Sequence, residues 1–222
     1  MIKQFTFNHF EVNCYLIIDD GVLTAGGKRE CAIVDPAAEA SFEDAQLTQY
    51  IEAEGLQVTH ILLTHAHVDH IAGLRQCCMH YKLPVSMHPD GRKLLRQAEA
   101  YGSLMGFAVD DMGDLEVTEE GEGDIIHVGG TEVECRYVPG HCPGSLCFVV
   151  HSERLVLTGD ALFHYSIGRT DLPGGDYPTL IERLKDRILT LPDDYRVLPG
   201  HGIASQIGKE RKYNSFLNAM AN

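Results

Sequence analysis

Residues 64–70 of this 222-residue chain read Thr-His-Ala-His-Val-Asp-His, so His65, His67, Asp69 and His70 offer four metal-ligating side chains within six positions. Imidazole suits zinc, iron and copper, and a carboxylate adds the negative charge that holds a dication. The flanking residues restrict the fold. The apolar run Ile61-Leu62-Leu63 reads as a buried strand entering the motif, and Ile71-Ala72-Gly73-Leu74 opens a helical pattern leaving it. In extended chain His65 and His67 project to the same side. Asp69 is expected at the helix start, where a carboxylate caps free N–H groups and meets the positive end of the helix dipole. The motif thus sits at the C-terminal end of a strand, where α/β chains place their sites.

Four donors on one short loop cannot all serve a single tetrahedral ion, so remote ligands or a second ion are expected. The second half supplies three candidates: His141 in Pro139-Gly140-His141-Cys142-Pro143-Gly144, Asp160 in Thr158-Gly159-Asp160-Ala161, and His201 in Pro199-Gly200-His201-Gly202. Each follows a strand-like run, and each is flanked by glycine, which permits tight turns and close backbone approach. All should lie at one edge of the sheets.

Strand-like segments cover Ile2–Phe7, Asn13–Ile18, Cys31–Val34, Val58–Leu63, Pro84–His88, Asp124–His127, Thr131–Val138, Ser145–His151, Arg154–Thr158 and Val197-Leu198. Turns are expected at Asp19-Asp20-Gly21 and Ala25-Gly26-Gly27. Helices are expected over Phe42–Ala53, from the motif to about Tyr81, and over Arg92–Tyr101, Tyr177–Thr190 and Ile207–Met220. No Pro- or Ser-rich linker parts the two halves, so residues 1–222 read as one α/β (α+β) domain, with two mixed sheets face to face and helices outside.

Acids outnumber bases 32 to 18, a formal charge of −14, which argues against nucleic acid and anionic membranes as partners. No apolar stretch approaches the roughly 18 residues of a membrane helix. The start, Met1-Ile-Lys-Gln-Phe-Thr, lacks a secretory signal pattern, and a cytoplasmic location is expected. Seven cysteines with no CxxC pair read as reduced, buried thiols. From Gln97 to Cys135 there are eleven acids and no Lys or Arg, the pattern of a solvated acidic loop, with a flap over a pocket as the alternative. A small-molecule substrate is the expected partner, and the oligomeric state is left open.

The ordered set His65-x-His67-x-Asp69-His70, His141, Asp160 and His201 resembles the metallo-β-lactamase superfamily. Asn13-Cys14-Tyr15-Leu16 and Ile33-Val34-Asp35-Pro36 are similar to that family's early strands. Ser166-Ile167-Gly168-Arg169-Thr170-Asp171 and Gly200-His201-Gly202 are similar to its glyoxalase II-like branch. The resemblance implies a four-layer αββα sandwich with two metals at one edge. Carried over, His65, His67 and His141 would bind the first ion, and Asp69, His70 and His201 the second. Asp160 would bridge them, and a bridging hydroxide would be the nucleophile. Asp69 and Asp160 are the implied catalytic carboxylates. A bridging carboxylate admits iron or manganese as well as zinc, and two divalent ions, zinc first, are expected.

The implied function is hydrolysis of a thioester such as S-lactoylglutathione. Two alternatives stand beside it: a persulfide dioxygenase-like enzyme with one ferrous iron, and a hydrolase of another ester or lactone. Full-length glyoxalase II enzymes carry a C-terminal helical domain for glutathione, whereas 21 residues follow His201 here, so the chain looks like the short bacterial relatives. Arg169 is read as a substrate carboxylate binder, since a guanidinium makes bidentate hydrogen bonds. Asp35 is either a turn residue or, by resemblance, the residue orienting a ligating His. Cys142 is read as a non-ligand. The seven histidines outside the set are read as surface or core residues.

Overall fold

The structure is a computed structural model of the chain and describes residues 1–218. The first half builds one sheet. Strands β1 (Ile2–Phe7) and β2 (Val12–Leu23) form an antiparallel hairpin with Phe5 opposite Cys14. Strand β3 (Arg29–Val34) pairs antiparallel to β2, and β4 (Leu56–Leu62), β5 (Val85–Met87) and β6 (Val117–Glu119) continue in parallel, in the order β1-β2-β3-β4-β5-β6. Helices α1 (Ser41–Ala53), α2 (Leu74–Tyr81), α3 (Arg92–Arg96) and α4 (Ala98–Met105) come from the crossovers.

The second half builds the other sheet from β7 (Ile125–Val128), β8 (Thr131–Tyr137), β9 (Leu146–Val150) and β10 (Leu155–Gly159). A small hairpin, β11 (Leu162–Phe163) and β12 (Ser166–Ile167), intervenes. Strand β13 (Arg196–Pro199) then joins β10 in parallel and β14 (Ser205–Gln206) closes the edge, giving the order β14-β13-β10-β9-β8-β7. Helices α5 (Tyr177–Arg183), α6 (Ile207–Tyr213) and α7 (Ser215–Asn218) belong to this half.

Period-two alternation turns these sheets into layers. On β2, Cys14, Leu16 and Ile18 join Leu47 and Ile51 of α1 and Leu74 of α2 in one buried cluster, while Tyr15 and Ile17 face the other way. On β9, Leu146, Phe148 and Val150 meet Tyr15 and Ile17 between the sheets, and Cys147 and Val149 pack with Leu180 and Ile181 of α5. Three apolar clusters therefore separate four layers, helix, sheet, sheet and helix, as expected. No helix among the described residues is long and apolar enough to cross a membrane.

Several boundaries differ from the sequence expectation. Asp19-Asp20-Gly21 is not a turn. Strand β2 runs through it as a bulge, because the buried Asp19 carboxylate accepts from Val22 N at 2.9 Å and Thr131 Oγ1 at 3.0 Å. The helix expected over Arg92–Tyr101 breaks at Gln97 into α3 and α4. The helix from Tyr177 passes into a single π turn at Leu184–Ile188. The closing helix breaks at Asn214, and the end of the expected segment, residues 219–220, lies outside the described residues. The acidic stretch is not a free loop. Phe107, Val109 and Met112 anchor it in the first core cluster, and Arg75 pairs with Asp114.

All seven cysteines are free and buried. Burial pushes the Cys78 thiol up to about 11 and Cys31 to about 12. A raised pKa keeps the thiol protonated, leaving a thiolate fraction of about 10⁻³ or less at pH 8. Ellman's reagent is therefore expected to label none of the seven in native protein over minutes and all seven in denaturant. Rapid labelling of a native thiol would contradict that burial.

Candidate metal centre

The seven predicted ligands converge at one edge of the sandwich. His65, His67, Asp69 and His70 follow β4, His141 follows β8, Asp160 directly follows β10, and His201 follows β13. One expectation fails. Asp69 caps no helix, since α2 begins at Leu74 after Gly73 and has no side-chain cap. The chain must first pass close under the loop after β3. Gly73 N donates to Pro36 O, and a Cβ on Gly73 would stand 2.6 Å from Ala38 O.

Two donor groups form. In the first, His65 Nε2 and His141 Nε2 lie 3.1 and 2.9 Å from His67 Nδ1. In the second, His201 Nε2 lies 3.3 Å from His70 Nε2 and 3.2 Å from Asp69 Oδ2. Asp160 stands between them, with Oδ1 3.3 Å from His70 Nε2 and Oδ2 3.7 Å from His141 Nε2 and 3.5 Å from His201 Nε2. His65, His70 and His141 are buried, while His67 is partly exposed and Asp69, Asp160 and His201 keep 15, 12 and 26% side-chain exposure, so members of both groups reach the opening.

The outer ring nitrogens set the tautomers. Asp35 Oδ2 lies 2.9 Å from His70 Nδ1, while its carboxylate also accepts from Thr64 N and Oγ1. Thr64 Oγ1 faces His65 Nδ1 at 3.1 Å. The backbone oxygens of Arg169 and Phe10 lie 2.8 and 2.9 Å from Nδ1 of His141 and His201. When an outer nitrogen donates, the neutral ring's inner nitrogen carries a lone pair. Facing lone pairs cannot hydrogen-bond one another. Asp160 Oδ1 is buried and has no hydrogen-bond partner, with His70 Nε2 standing 3.3 Å away. Nitrogens bound at 2.0–2.1 Å to one tetrahedral ion stand roughly 3.3 Å apart, close to the spacings found here. The donor set therefore fits divalent cations.

Electrostatics divides the groups. Burial, reinforced by the neighbouring imidazoles, holds His65 well below its usual range, and burial with His141 takes His67 down to about 4. Burial also lowers His141. Burial would lower His70 too, but Asp160, Asp69 and Asp35 outweigh it and raise it well above the usual value. His201 is raised against burial by Asp69 and Asp160. Asp160 would be raised by burial, yet His70, His141 and His201 hold it far below the ordinary carboxylate range. Two carboxylates aimed into a ring of nitrogen donors make a centre that attracts positive charge.

Backbone geometry tightens around Asp160. A Cβ on Gly200 would lie 2.3 Å from Asp160 Oδ1, and one on Gly168 would lie 1.8 Å from Asp160 O. The His201 loop is tied to the first sheet. Val12 forms an isolated antiparallel bridge with His201, Asn13 N donates to Gly200 O at 2.7 Å, and Asn13 Nδ2 donates to Pro199 O and Gly202 O. Tyr15 OH donates to Pro199 O. Sequence reasoning missed Asn8, Asn13, Tyr15 and Thr64. Their only signal is position, at the start of a strand or just past its end.

Other residues resolve differently. Asp35 takes the orienting role, in a left-handed backbone at φ 52°. The Arg169 guanidinium is exposed and donates from Nε and Nη2 to Asp171, both at 2.8 Å, while its backbone oxygen serves His141. The Cys142 Sγ lies within 4.8 Å of the first group's donor atoms, but it faces Ser145 Oγ at 3.3 Å and burial pushes it up to about 12.

Comparison with known proteins agrees with this geometry. Residues 8–201 match the metallo-beta-lactamase superfamily. Hydroxyacylglutathione hydrolase GloC of Haemophilus influenzae is 36% identical over 217 residues, covering 95% of this chain and 94% of GloC. The crystal structure of the BLEG-1 B3 metallo-beta-lactamase superposes with a TM-score of 0.82 at 32% identity, over 98% of this chain and 99% of that one. TTHA1623 in a di-iron-bound form superposes with a TM-score of 0.82 at 34% identity, over 97% of this chain and 100% of that one.

Proposed function

The chain belongs to the metallo-beta-lactamase superfamily, on its short glyoxalase II-like branch, and on that premise we propose that it is a binuclear metal hydrolase of acyl thioesters, S-lactoylglutathione among them. The observation that carries the reading is Asp160 Oδ1, buried, without a hydrogen-bond partner, and set between two groups of converging donors. His65, His67 and His141 would hold one ion, Asp69, His70 and His201 the other, and Asp160 both. Two such dications lower a bound water's pKa from 15.7 to about 7 and polarise an adjacent carbonyl.

The protein's own groups prepare that chemistry. Asp35, Thr64, Arg169 O and Phe10 O keep the inner nitrogens of His70, His65, His141 and His201 free to ligate. Asp69 and Asp160 are the catalytic carboxylates. Asp160 spans both groups, and Asp69 presents a partly exposed carboxylate beside His201. Arg169 is the proposed contact for substrate carboxylates, and its pairing with Asp171 means an anionic substrate competes with that carboxylate. Zinc is the ion proposed first, with iron the one to compare because a similar protein is known in a di-iron-bound form. A reducing cytoplasm suits seven unpaired, buried thiols.

A ferrous dioxygenase needs a single ion with open positions, and seven donors in two groups favour the binuclear hydrolase. Metal analysis of protein purified without chelator, with rates on S-lactoylglutathione and a β-lactam, tests the reading. Two ions per chain and metal-dependent thioester cleavage are expected. One iron per chain with oxygen uptake on glutathione persulfide would overturn the reaction. Cleavage of the β-lactam alone would overturn the substrate.

A further inference from the structure

The turn between β1 and β2, residues 8–11, touches two of the second group's ligands without supplying one. Asn8 is its pivot. The Asn8 side-chain amide donates from Nδ2 to Asp69 O at 2.8 Å and to Ala37 O at 3.0 Å. Among the described residues no backbone N–H reaches the Asp69 carbonyl, so this amide holds it. On its other side, Asn8 Oδ1 accepts from Phe10 N at 2.9 Å, and Phe10 O lies 2.9 Å from His201 Nδ1. One amide therefore connects Asp69 and His201, whose side chains face each other at 3.2 Å.

Asn8 is itself held on both sides. Its N–H donates to Glu43 Oε1 at 2.7 Å, and the other Glu43 oxygen accepts from Glu39 N and Ala40 N at the start of α1. Glu43 is buried, which fixes the turn to the helix layer. Asn8 adopts φ 54°, a left-handed conformation that asparagine and glycine tolerate best. Among the described residues, two of the first group's three members, His65 and His141, have no hydrogen bond to this turn, and the third, His67, meets it only through the backbone turn whose His70 N donates to His67 O. His65 is set by Thr64 and His141 by Arg169 O. The third ligand of the second group, His70, is set by Asp35.

We propose that Asn8 is a positioning residue that selectively sets the Asp69 and His201 side of the centre, and so governs binding of the second metal ion and not the first. The proposal rests on the binuclear reading of the site. Outer partners of ligating residues are worth about 10- to 100-fold in metal affinity, and Asn8 serves two ligands at once.

Two variants separate its roles. Asn8→Gly keeps the left-handed backbone and removes the amide. Asn8→Asp keeps the acceptor for Phe10 N and removes the donors to Asp69 O and Ala37 O. Metal-free protein is titrated with Zn²⁺ against a competing chelator, and with Co²⁺ to follow the ligand-field bands of each ion. In both variants the second binding constant should weaken about 10- to 100-fold, while the first stays within threefold and keeps its Co²⁺ spectrum. A second constant within threefold of wild type overturns the proposal. So does a parallel fall of both constants together with the metal-free melting temperature, which would mark a general structural role. Wild type binding only one ion overturns the binuclear reading and this proposal with it. Wild type binding two ions, with variants unchanged, overturns the role of Asn8 alone.

Discussion

Asp160→Asn is expected to lose about 10³-fold or more in metal-dependent hydrolysis and to bind both ions more weakly. The carboxylate is within reach of donors from both halves of the centre, at 3.3 Å from His70, 3.5 Å from His201 and 3.7 Å from His141. The amide matches its shape but removes the negative charge that would sit between the two proposed dications. Metal centres supply several kcal/mol of charge stabilisation, and each 1.36 kcal/mol is about tenfold in rate. The fold should survive, since Asp160 lies at the sheet edge and outside the three apolar clusters. Metal content, thioesterase rate and circular dichroism on one preparation check this. A folded variant with both ions and more than a tenth of the rate would show that the ions do not share Asp160.

Gly200→Ala should be nearly as damaging, although it removes no ligand. The added Cβ would stand 2.3 Å from Asp160 Oδ1, 2.7 Å from His70 Cε1 and 3.1 Å from the Gly159 carbonyl carbon. The backbone cannot retreat cheaply, because Gly200 N donates to Gly159 O at 2.8 Å and Gly200 O accepts from Asn13 N at 2.7 Å. Either Asp160 and His70 rotate away or the His201 loop lifts. A displacement near 1 Å at a reacting centre costs about 10²-fold. Gly202→Ala is the control. Its backbone is left-handed at φ 72° but nothing lies within 4 Å of the new Cβ, so it carries only the strain of that conformation, about 1–2 kcal/mol. Equal activity losses in the two variants would mean that the close packing at Gly200 is irrelevant.

The convergence of the seven candidate donors was legible in the sequence because each lies on a loop that leaves the end of a strand, and strand ends are set by short-range pattern. The apolar run before Thr64 and the glycines beside His141, Asp160 and His201 place them without knowledge of the partner strand. What the pattern misplaced depends on residues distant in sequence. Asp69 resembles a helix cap locally, but the chain first wraps past Pro36 and Ala38. Asp19-Asp20-Gly21 has turn composition, yet Thr131 on a distant strand satisfies Asp19 and keeps it in the sheet. Gln97 carries no helix-breaking signal in the sequence, yet its backbone leaves the helical range at φ −96°, ψ 2° and parts α3 from α4. Arg169 stood out for its charged fork, whereas its contact with the ligand set is a backbone oxygen, which no residue-type pattern reveals.

The bridge between Val12 and His201 bears on how long the folded chain lasts once loaded. The donor atoms come from positions 65 to 201 and from loops of both sheets, so no partly folded chain presents the full set. An ion that binds only the closed sandwich stabilises it by mass action. Contacts between such distant positions are completed late, so that stabilisation falls on the rate of unfolding and leaves the rate of folding nearly unchanged. An ion bound there would act as a rivet across the two halves, and its occupancy would lengthen the lifetime of the native state.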